Sequence, residues 1–373
     1  ATPIVLDRPK NSAHGDYACN VAMQLARVLG KNPRQIAQLI LDQMPDSPWV
    51  AKVEIAGAGF LNIFLTKAAR FAAVRRVFSE GAAYGRGSFG GGRKVQVEFV
   101  SANPTGPLHV GHGRGAAYGD SLASVLDAAG FSVTREYYIN DAGRQVDILA
   151  VSTWVRYLEL CGEAVPFPPN GYQGDYVRDR ASELLAIDGT RFVRPAATVL
   201  AGLPDAKDDD ESAVEARMDA LIERMRALLG DDFGHLLRYM LDRQVEGIRD
   251  VLQRFGVRFD MWYSERSLYD SGRVAETLEL LQQRGHLYRQ DGALWFRSTA
   301  LGDDKDRVVQ RENGLYTYFA SDIAYHHDKL QRGFDLVIDV WGADHHGYIP
   351  RVKAALQAMG HDPATLTVPL IQL

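Results

Sequence analysis

Cysteine is scarce. The chain of 373 residues holds two, Cys19 and Cys161, far apart and outside any ligand pattern. That excludes a disulfide framework and a thiolate metal cluster, and is the usage expected of a protein kept in the reducing cytoplasm. No apolar run approaches the roughly 20 residues a bilayer span needs, so no membrane partner is expected. The N-terminus also lacks the basic-then-apolar order of a secretory signal. Positive charge is not in excess either: 42 Lys and Arg against 47 Asp and Glu leave a net charge of -5. Coating nucleic acid by charge alone is thereby disfavoured, and an RNA contact has to use local basic patches. What is present is ordinary for a globular protein of two or three domains, with 46% hydrophobic and 24% charged residues.

The most informative stretch runs from Val95 to Gly130. Val95, Val97 and Phe99 alternate with Gln96 and Glu98, a period-two strand pattern. Pro104 and Pro107 stiffen the loop that follows, and Leu122, Val125, Leu126 and Ala129 then recur at helical spacing before Gly130. A strand turning into a helix presents free N–H groups and the positive end of the helix dipole, a seat for phosphate. Within that seat lies His109-Val110-Gly111-His112. Imidazoles three apart share a helix face, Gly111 leaves room for a flat ring, and an imidazole can stabilise charge on a phosphoryl oxygen. The competing readings are a zinc pair, a dinucleotide fingerprint in Gly111-x-Gly113-x-x-Ala116, core histidines, and chance. Zinc prefers a spacing of four and a further ligand. The fingerprint needs a glycine turn straight after the strand, where Ser101 to Leu108 intervene. A role in binding nucleotide phosphate is favoured.

Along the chain, helices are predicted over 20–29, 33–44 and 67–79, with strands at 52–55 and 60–65. Gly85-x-Gly87-x-x-Gly90 is a literal phosphate-loop spelling, but it precedes a strand and reads as a flexible linker. Ser132 to Ile139 is a second strand, which with the first implies a parallel sheet. The acidic run Asp205, Asp208, Asp209, Asp210 and Glu211 reads as a solvated loop, and helices are predicted over 214–229, 236–255 and 272–284. Strands follow at 257–263 and around the turns Asp291-Gly292 and Asn313-Gly314. Leu315 to Phe319 reads as a strand feeding a helix capped near Ser321, with Tyr318 and Asp322 four apart across the junction. Leu336 to Val340 is a buried strand running into Trp341-Gly342-Ala343-Asp344-His345-His346.

Pro107-Leu-His-Val-Gly-His112 resembles the signature of class I aminoacyl-tRNA synthetases. The longer V-E-F-V-S-A-N-P-T-G-P-L-H-V-G-H-G-R is similar to arginyl-tRNA synthetases in particular. The resemblance implies an α/β fold: a Rossmann-like doubly wound parallel sheet interrupted by two insertions and preceded by a small α/β domain. The corresponding boundaries are 1–92 for the N-terminal domain and linker, 93–147 for the first half of the nucleotide-binding domain, 148–235 for the connective insertion, 236–264 for the middle, 265–315 for a second insertion and 316–373 for the second half. It further implies activation of L-arginine by ATP, with Mg2+ on the nucleotide, and transfer to tRNA(Arg) by a cytoplasmic monomer.

By the same resemblance His109 and His112 are the catalytic pair. With Gly111, Gly342, Asp344, His345 and His346 they hold ATP. Glu98, Ser101 and Asn103 take the amino and carboxylate groups of arginine, and Tyr318 and Asp322 take its guanidinium. His14-Gly15-Asp16-Tyr17 and G-A-G-F-L-N-I-F-L resemble the family's N-terminal domain, where Phe60 and Asn62 fall at positions that contact tRNA. The Lys-Met-Ser-Lys-like loop and the helical anticodon-binding domain are missing from the family pattern, so a truncated chain, inactive alone, is expected. A free-standing nucleotidylyltransferase and a non-catalytic RNA-binding relative are the rivals.

Overall fold

The structure, a computed structural model, describes residues 3–205 and 210–372. Two compact units divide between Arg86 and Gly87. In the first, strands β1 (Tyr17–Cys19), β2 (Val50–Ala56) and β3 (Phe60–Leu65) form an antiparallel sheet in the order β1-β3-β2. Helices α1 (Val21–Leu29) and α2 (Pro33–Asp42) bury Ala22, Ile36 and Ala37 against Leu61. Pro33 opens α2 behind the Asn32 cap, where a missing N–H costs nothing. Helix α3 (Lys67–Glu80) completes the unit; its N-cap Thr66 accepts from Ala69 N.

The second unit is built on a parallel five-stranded sheet: β4 (Lys94–Glu98), β5 (Ser132–Ile139), β6 (Met261–Ser264), β10 (Leu336–Asp339) and β12 (Leu366–Thr367). Its spatial order is β12-β10-β4-β5-β6. Sequence order runs outward in both directions from β4, so the topological switch lies between β4 and β10, where a ligand crevice is expected beyond the carboxyl ends. Period-two alternation in β4 predicts one wet face, but Gln96 and Glu98 are buried along with Val95 and Val97. Helix α4 (Val110–Ala128) covers the valine side with Ala116 and Ala123, and side chains of α12 (Tyr318–Gln331) reach Glu98 on the other side.

The insertion after β5 is helical: α5 (Arg144–Leu160), α6 (Asp175–Asp188), α7 (Ala196–Leu200), α8 (Glu211–Leu229) and α9 (Asp231–Arg254) share a core around Trp154, Tyr157, Phe192, Met218 and Met225. Helix α5 runs unbroken from the strand end into that core, and α9 returns to the sheet through Ile248 and Leu252. Of the acidic run, Asp208 and Asp209 lie outside the described residues. After β6 come α10 (Arg266–Asp270), α11 (Arg273–Gln283) and an antiparallel sheet of β7 (Leu287–Gln290), β8 (Ala293–Phe296) and β9 (Arg307–Gln310). Beyond β10, a short strand β11 (Trp341–Gly342) pairs with β13 (Leu370–Ile371), with α13 (Ile349–Ala358) between.

Two local expectations change. The glycine run is not a loose linker from Gly87 onward. Gly87, Gly90 and Gly92 donate their N–H groups to the carbonyls of Ala128, Ala129 and Gly130 at 2.7, 2.8 and 2.9 Å. They satisfy carbonyls that the end of α4 leaves unpaired. And no strand carries Tyr318 and Phe319: α12 begins at Tyr318 behind Thr317, so Ser321 is inside the first turn and not its cap. Tyr318 and Asp322 therefore sit one turn apart on a single helix face.

Packing of α4 on β4 depends on Gly119, whose absent Cβ leaves the space taken by the Phe99 ring. Gly119→Ala is expected to lower stability by about 1–3 kcal/mol, the usual cost of an overpacked core. An unchanged urea midpoint would show that α4 is not seated this closely.

Candidate active site

Parallel pairing puts Asp339 of β10 opposite Glu98 of β4, and Glu98 opposite Glu136 of β5. Three carboxylates thus line up across adjacent strands on one buried face, an arrangement that repels itself unless cations cover it. Helix α12 supplies them. Lys329, fully buried, donates to Glu98 Oε2 at 2.5 Å and Asp339 Oδ1 at 2.7 Å. Arg332 forks onto Glu136 at 2.6 and 2.9 Å. The Tyr325 hydroxyl lies 2.8 Å from Glu98 Oε2 and 2.6 Å from Glu136 Oε1. His326 places one ring nitrogen 2.9 Å from Asp339 Oδ2 and the other 2.7 Å from the Asp322 carbonyl. Burial opposes the charge on Asp339, yet Lys329 and His326 hold its pKa down at about 2. Burial pushes Glu98 up, with Lys329 opposing and the neighbouring acids adding to the rise.

Immediately beyond Glu98 the chain kinks. Val100 and Ser101 both adopt positive φ, 69° and 40°, a costly conformation for a β-branched valine that persists only where its surroundings fix it. Ser101 fixes it: its hydroxyl donates to Glu98 Oε1 at 2.9 Å and accepts from Tyr138 N at 3.1 Å.

A cavity of about 410 Å3 opens at this kink. Glu98, Ser101, Tyr318, Asp322, Gly342 and His345 all border it, with Trp341 and Tyr348 as aromatic walls. Asp322 is half-buried and accepts from the Tyr348 hydroxyl; burial raises its pKa against that bond. An adjoining cavity of about 300 Å3 shares Tyr138, Tyr318 and Asp322 and adds Asn103, Asn140 and Glu265. Glu265 is 2% exposed. One of its oxygens accepts from Ser321 at 2.9 Å, and the other, Oε2, is buried with no partner. Burial lifts its pKa to about 7, against the Ser321 bond.

The histidine pair lies elsewhere on the same strand end. His109 is the N-cap of α4, and the two rings stack at 3.7 Å. Each accepts a backbone N–H through Nδ1: His109 from Gly111 at 3.1 Å, His112 from His109 at 3.2 Å. Accepting at Nδ1 puts the ring proton on Nε2, so both imidazoles keep a donor free to point away from the helix. Burial, then His109, lowers the pKa of His112. The resemblance puts His109 and His112 in one ATP site with Gly342, but neither imidazole borders the cavity that Gly342 and Asp322 share, and His109 instead edges a depression with Leu108, Gly113 and Val251. The helix-entrance geometry explains this, since capping turns both rings back onto their own backbone. Of the glycine–acid pair, Gly342 borders the cavity, while Asp344 is exposed and 3.1 Å from His345 Nδ1. His346 is exposed in the same turn.

Residues 1–65 match the family model for the arginyl tRNA synthetase N terminal domain, and residues 74–159 and 208–372 match that for the class I (R) tRNA synthetase catalytic domain. The chain belongs to the arginyl-tRNA synthetase family. It is 58% identical over 377 residues to a protein named arginine–tRNA ligase from Dechloromonas aromatica, and 57% identical over 365 residues to one from Nitrosospira multiformis. It spans 64% and 62% of their lengths. A Campylobacter jejuni structure solved under the provisional name arginyl-tRNA synthetase shares 34% identity at a TM-score of 0.66, covering 81% of this chain and 59% of its own. The Thermus thermophilus arginyl-tRNA synthetase, at 24% identity and a TM-score of 0.59, covers 99% of this chain and 62% of its own and shares the fold.

Of the acids and cations around this cavity, the sequence patterns point to Glu98 and Asp322 but not to Glu136, Asp339, Lys329 or Glu265. Glu98 and Asp339 each close their strand, whereas Glu136 lies within β5, so their alignment shows only once the strand register is known. In the N-terminal unit Phe60 is 40% exposed, whereas Asn62 is 6% exposed, its residue paired with Ala18 and Glu54.

Because folding raises the Glu265 pKa from the ordinary 4.5 to about 7, the folded chain holds a proton there that the unfolded chain releases. The stability this confers is complete below the unfolded value and is lost as pH climbs through about 7. Relative to Glu265→Gln, the wild-type chain is expected to lose on the order of 3 kcal/mol between about pH 4 and pH 8, at 1.36 kcal/mol per unit. A difference that stays flat in pH-dependent urea unfolding would contradict the buried, unpaired carboxyl.

Proposed function

We propose that this chain carries the amino-acid-activating site of an arginine–tRNA ligase, which forms arginyl-adenylate from L-arginine and ATP and transfers the arginyl group to tRNA(Arg). The observation that carries this reading is the desolvated acid pair Asp322 and Glu265 flanking one tyrosine-walled cavity, with Glu265 Oε2 buried and unpartnered. Such a site suits a donor-rich cation. A guanidinium brings five N–H donors in a planar fork and cannot lose its charge, whereas lysine offers one compact ammonium.

In this reading Asp322 and Glu265 take the guanidinium, Tyr318 closes over it, and Glu98 with Ser101 receives the α-ammonium group. Asn103 holds this end through its bonds to Asn140 and Gln145 at 3.0 Å each. The carboxylate then attacks the α-phosphorus of ATP in line and pyrophosphate leaves. No enzyme-bound covalent intermediate is required, so the protein acts by placing the reactants and stabilising charge. The outward Nε2–H groups of His109 and His112, at a helix N-terminus, suit the phosphoryl oxygens, with Gly111 leaving the approach open. Gly342, Asp344, His345 and His346 form the shelf assigned to the adenosine. Among the described residues no group of three His, Cys, Asp or Glu side chains converges on a metal position. Mg2+ enters this reading with the nucleotide, as part of the substrate. Transfer to the terminal adenosine of tRNA follows, with the exposed Phe60 ring suited to stacking on a base, while Asn62, buried in the central strand of its sheet, offers no edge to one. The free thiols of Cys19 and Cys161 fit a reducing cytoplasm.

Asp322→Asn should weaken L-arginine by roughly 30- to 1,000-fold, the cost of about 2–4 kcal/mol for leaving a buried cation short of its charged partner. Calorimetric titration of L-arginine into the chain checks this; an unchanged dissociation constant would remove Asp322 from the site. His109→Ala, outside the cavity, should leave arginine affinity intact while slowing arginine-dependent pyrophosphate exchange by the whole protein about a hundredfold or more. Normal exchange would remove the histidine from the chemistry.

A further inference from the structure

We propose that Lys329, which touches no substrate, is a positioning residue that holds the Glu98 carboxylate charged and aimed at the α-ammonium group of the amino acid. This rests on the site reading above and extends it to a residue buried behind the cavity. Lys329 is 0% exposed and absent from the cavity wall, whereas Glu98 borders the cavity. The ammonium spends two of its donors on Glu98 Oε2 and Asp339 Oδ1, and lies 4.3 Å from the centre of the Tyr325 ring.

Every group around Glu98 bears on its charge. From α12 it meets Lys329 and the Tyr325 hydroxyl, with His326 beyond on Asp339. From β10 it faces Asp339, from β5 Glu136, and from the kinked loop the Ser101 hydroxyl. Arg332 is occupied by Glu136. Lys329 is therefore the one cation in direct contact with Glu98 among the described residues. Without it, a carboxylate in a dry site beside two like charges takes up a proton. Protonated, it offers the substrate ammonium no charge.

The same helix carries Asp322 two turns earlier, on the same face as Lys329. Helix α12 thus sets both ends of the substrate: the guanidinium through Asp322 directly, and the α-ammonium through Lys329 acting on Glu98. The spacing between those ends is fixed by one rigid element.

The experiment is calorimetric titration of L-arginine from about pH 6 to 8.5 into the wild-type chain, Lys329→Met, Glu98→Gln and the double variant. A parallel titration uses 5-guanidinopentanoate, which keeps the guanidinium and carboxylate but has no α-amino group. Lys329→Met is expected to weaken arginine at least about tenfold near neutral pH, each tenfold matching one pKa unit. Its affinity should recover as pH rises, with the midpoint displaced above that of the wild type. The 5-guanidinopentanoate titration should be unmoved by the substitution, and the double variant should bind arginine as Glu98→Gln does. A pH midpoint left in place overturns the proposal. So does equal weakening of both ligands, or a double variant weaker than Glu98→Gln. Should Lys329→Met not fold, the comparison of the double variant with Glu98→Gln decides alone, since it leaves no charged Glu98 beside the missing ammonium. Failure of wild-type chain to bind arginine at all contradicts the site reading itself, a result distinct from each of these.

Discussion

The interaction on which the rest depends is the contact between a row of carboxylates and the helix laid over it. Asp339, Glu98 and Glu136 fall opposite one another across three adjacent parallel strands. Left bare, three like charges in a dry layer would repel or take up protons. Helix α12 meets them with Lys329, Arg332, His326 and the Tyr325 hydroxyl at hydrogen-bond distance. Removing one partner from such a buried set typically costs about 3–5 kcal/mol, so the set over-determines where α12 sits. Because β4 and β10 end here, at the point where the strand order turns back, fixing α12 also fixes the mouth of the crevice.

From that placement the chemistry of the cavity follows. Asp322 projects from the second turn of α12, Glu265 from the end of β6, and Glu98 from β4, so acids carried by separate elements border two adjoining cavities that share Tyr138, Tyr318 and Asp322. Burial raises each of them, and only a ligand rich in donors and positive charge relieves all three. The strained Val100–Ser101 kink turns the chain sharply after Glu98, and Ser101 ties that kink to the carboxylate it follows. The imidazole pair stands apart, committed at Nδ1 to capping α4, which leaves the ring proton of each on Nε2. In the proposed reading, recognition of the amino acid and handling of phosphate are divided between α12 and α4, two helices that meet the same strand.

Much of this was legible in the residues. The strand–loop–helix run from Val95, the second strand at Ser132 to Ile139, and the family resemblance all read directly, because each is a local pattern of polarity, glycine and proline. Glu98, Ser101, Tyr318, Asp322 and Gly342 were singled out and do share a cavity. What local pattern does not carry is register. Glu136 sits in T-R-E-Y-Y-I and Asp339 in L-V-I-D-V, ordinary strand spellings until pairing sets them beside Glu98. Lys329 looks like a last-turn basic residue of a surface helix and is instead fully buried. The β-rich run before α12 hides that Tyr318 is already helical. Nothing in the glycine run's own sequence reveals the carbonyls of Ala128 to Gly130 that its N–H groups meet.

The most direct test of the central claim is a crystal structure of the chain with L-arginine and an unreactive ATP analogue. The account predicts guanidinium nitrogens at charge-assisted distances, about 2.7–2.9 Å, from both Asp322 and Glu265, with the α-ammonium on Glu98. Arginine bound in the reverse sense, with its guanidinium on Glu98, or bound outside this hollow altogether, would contradict it.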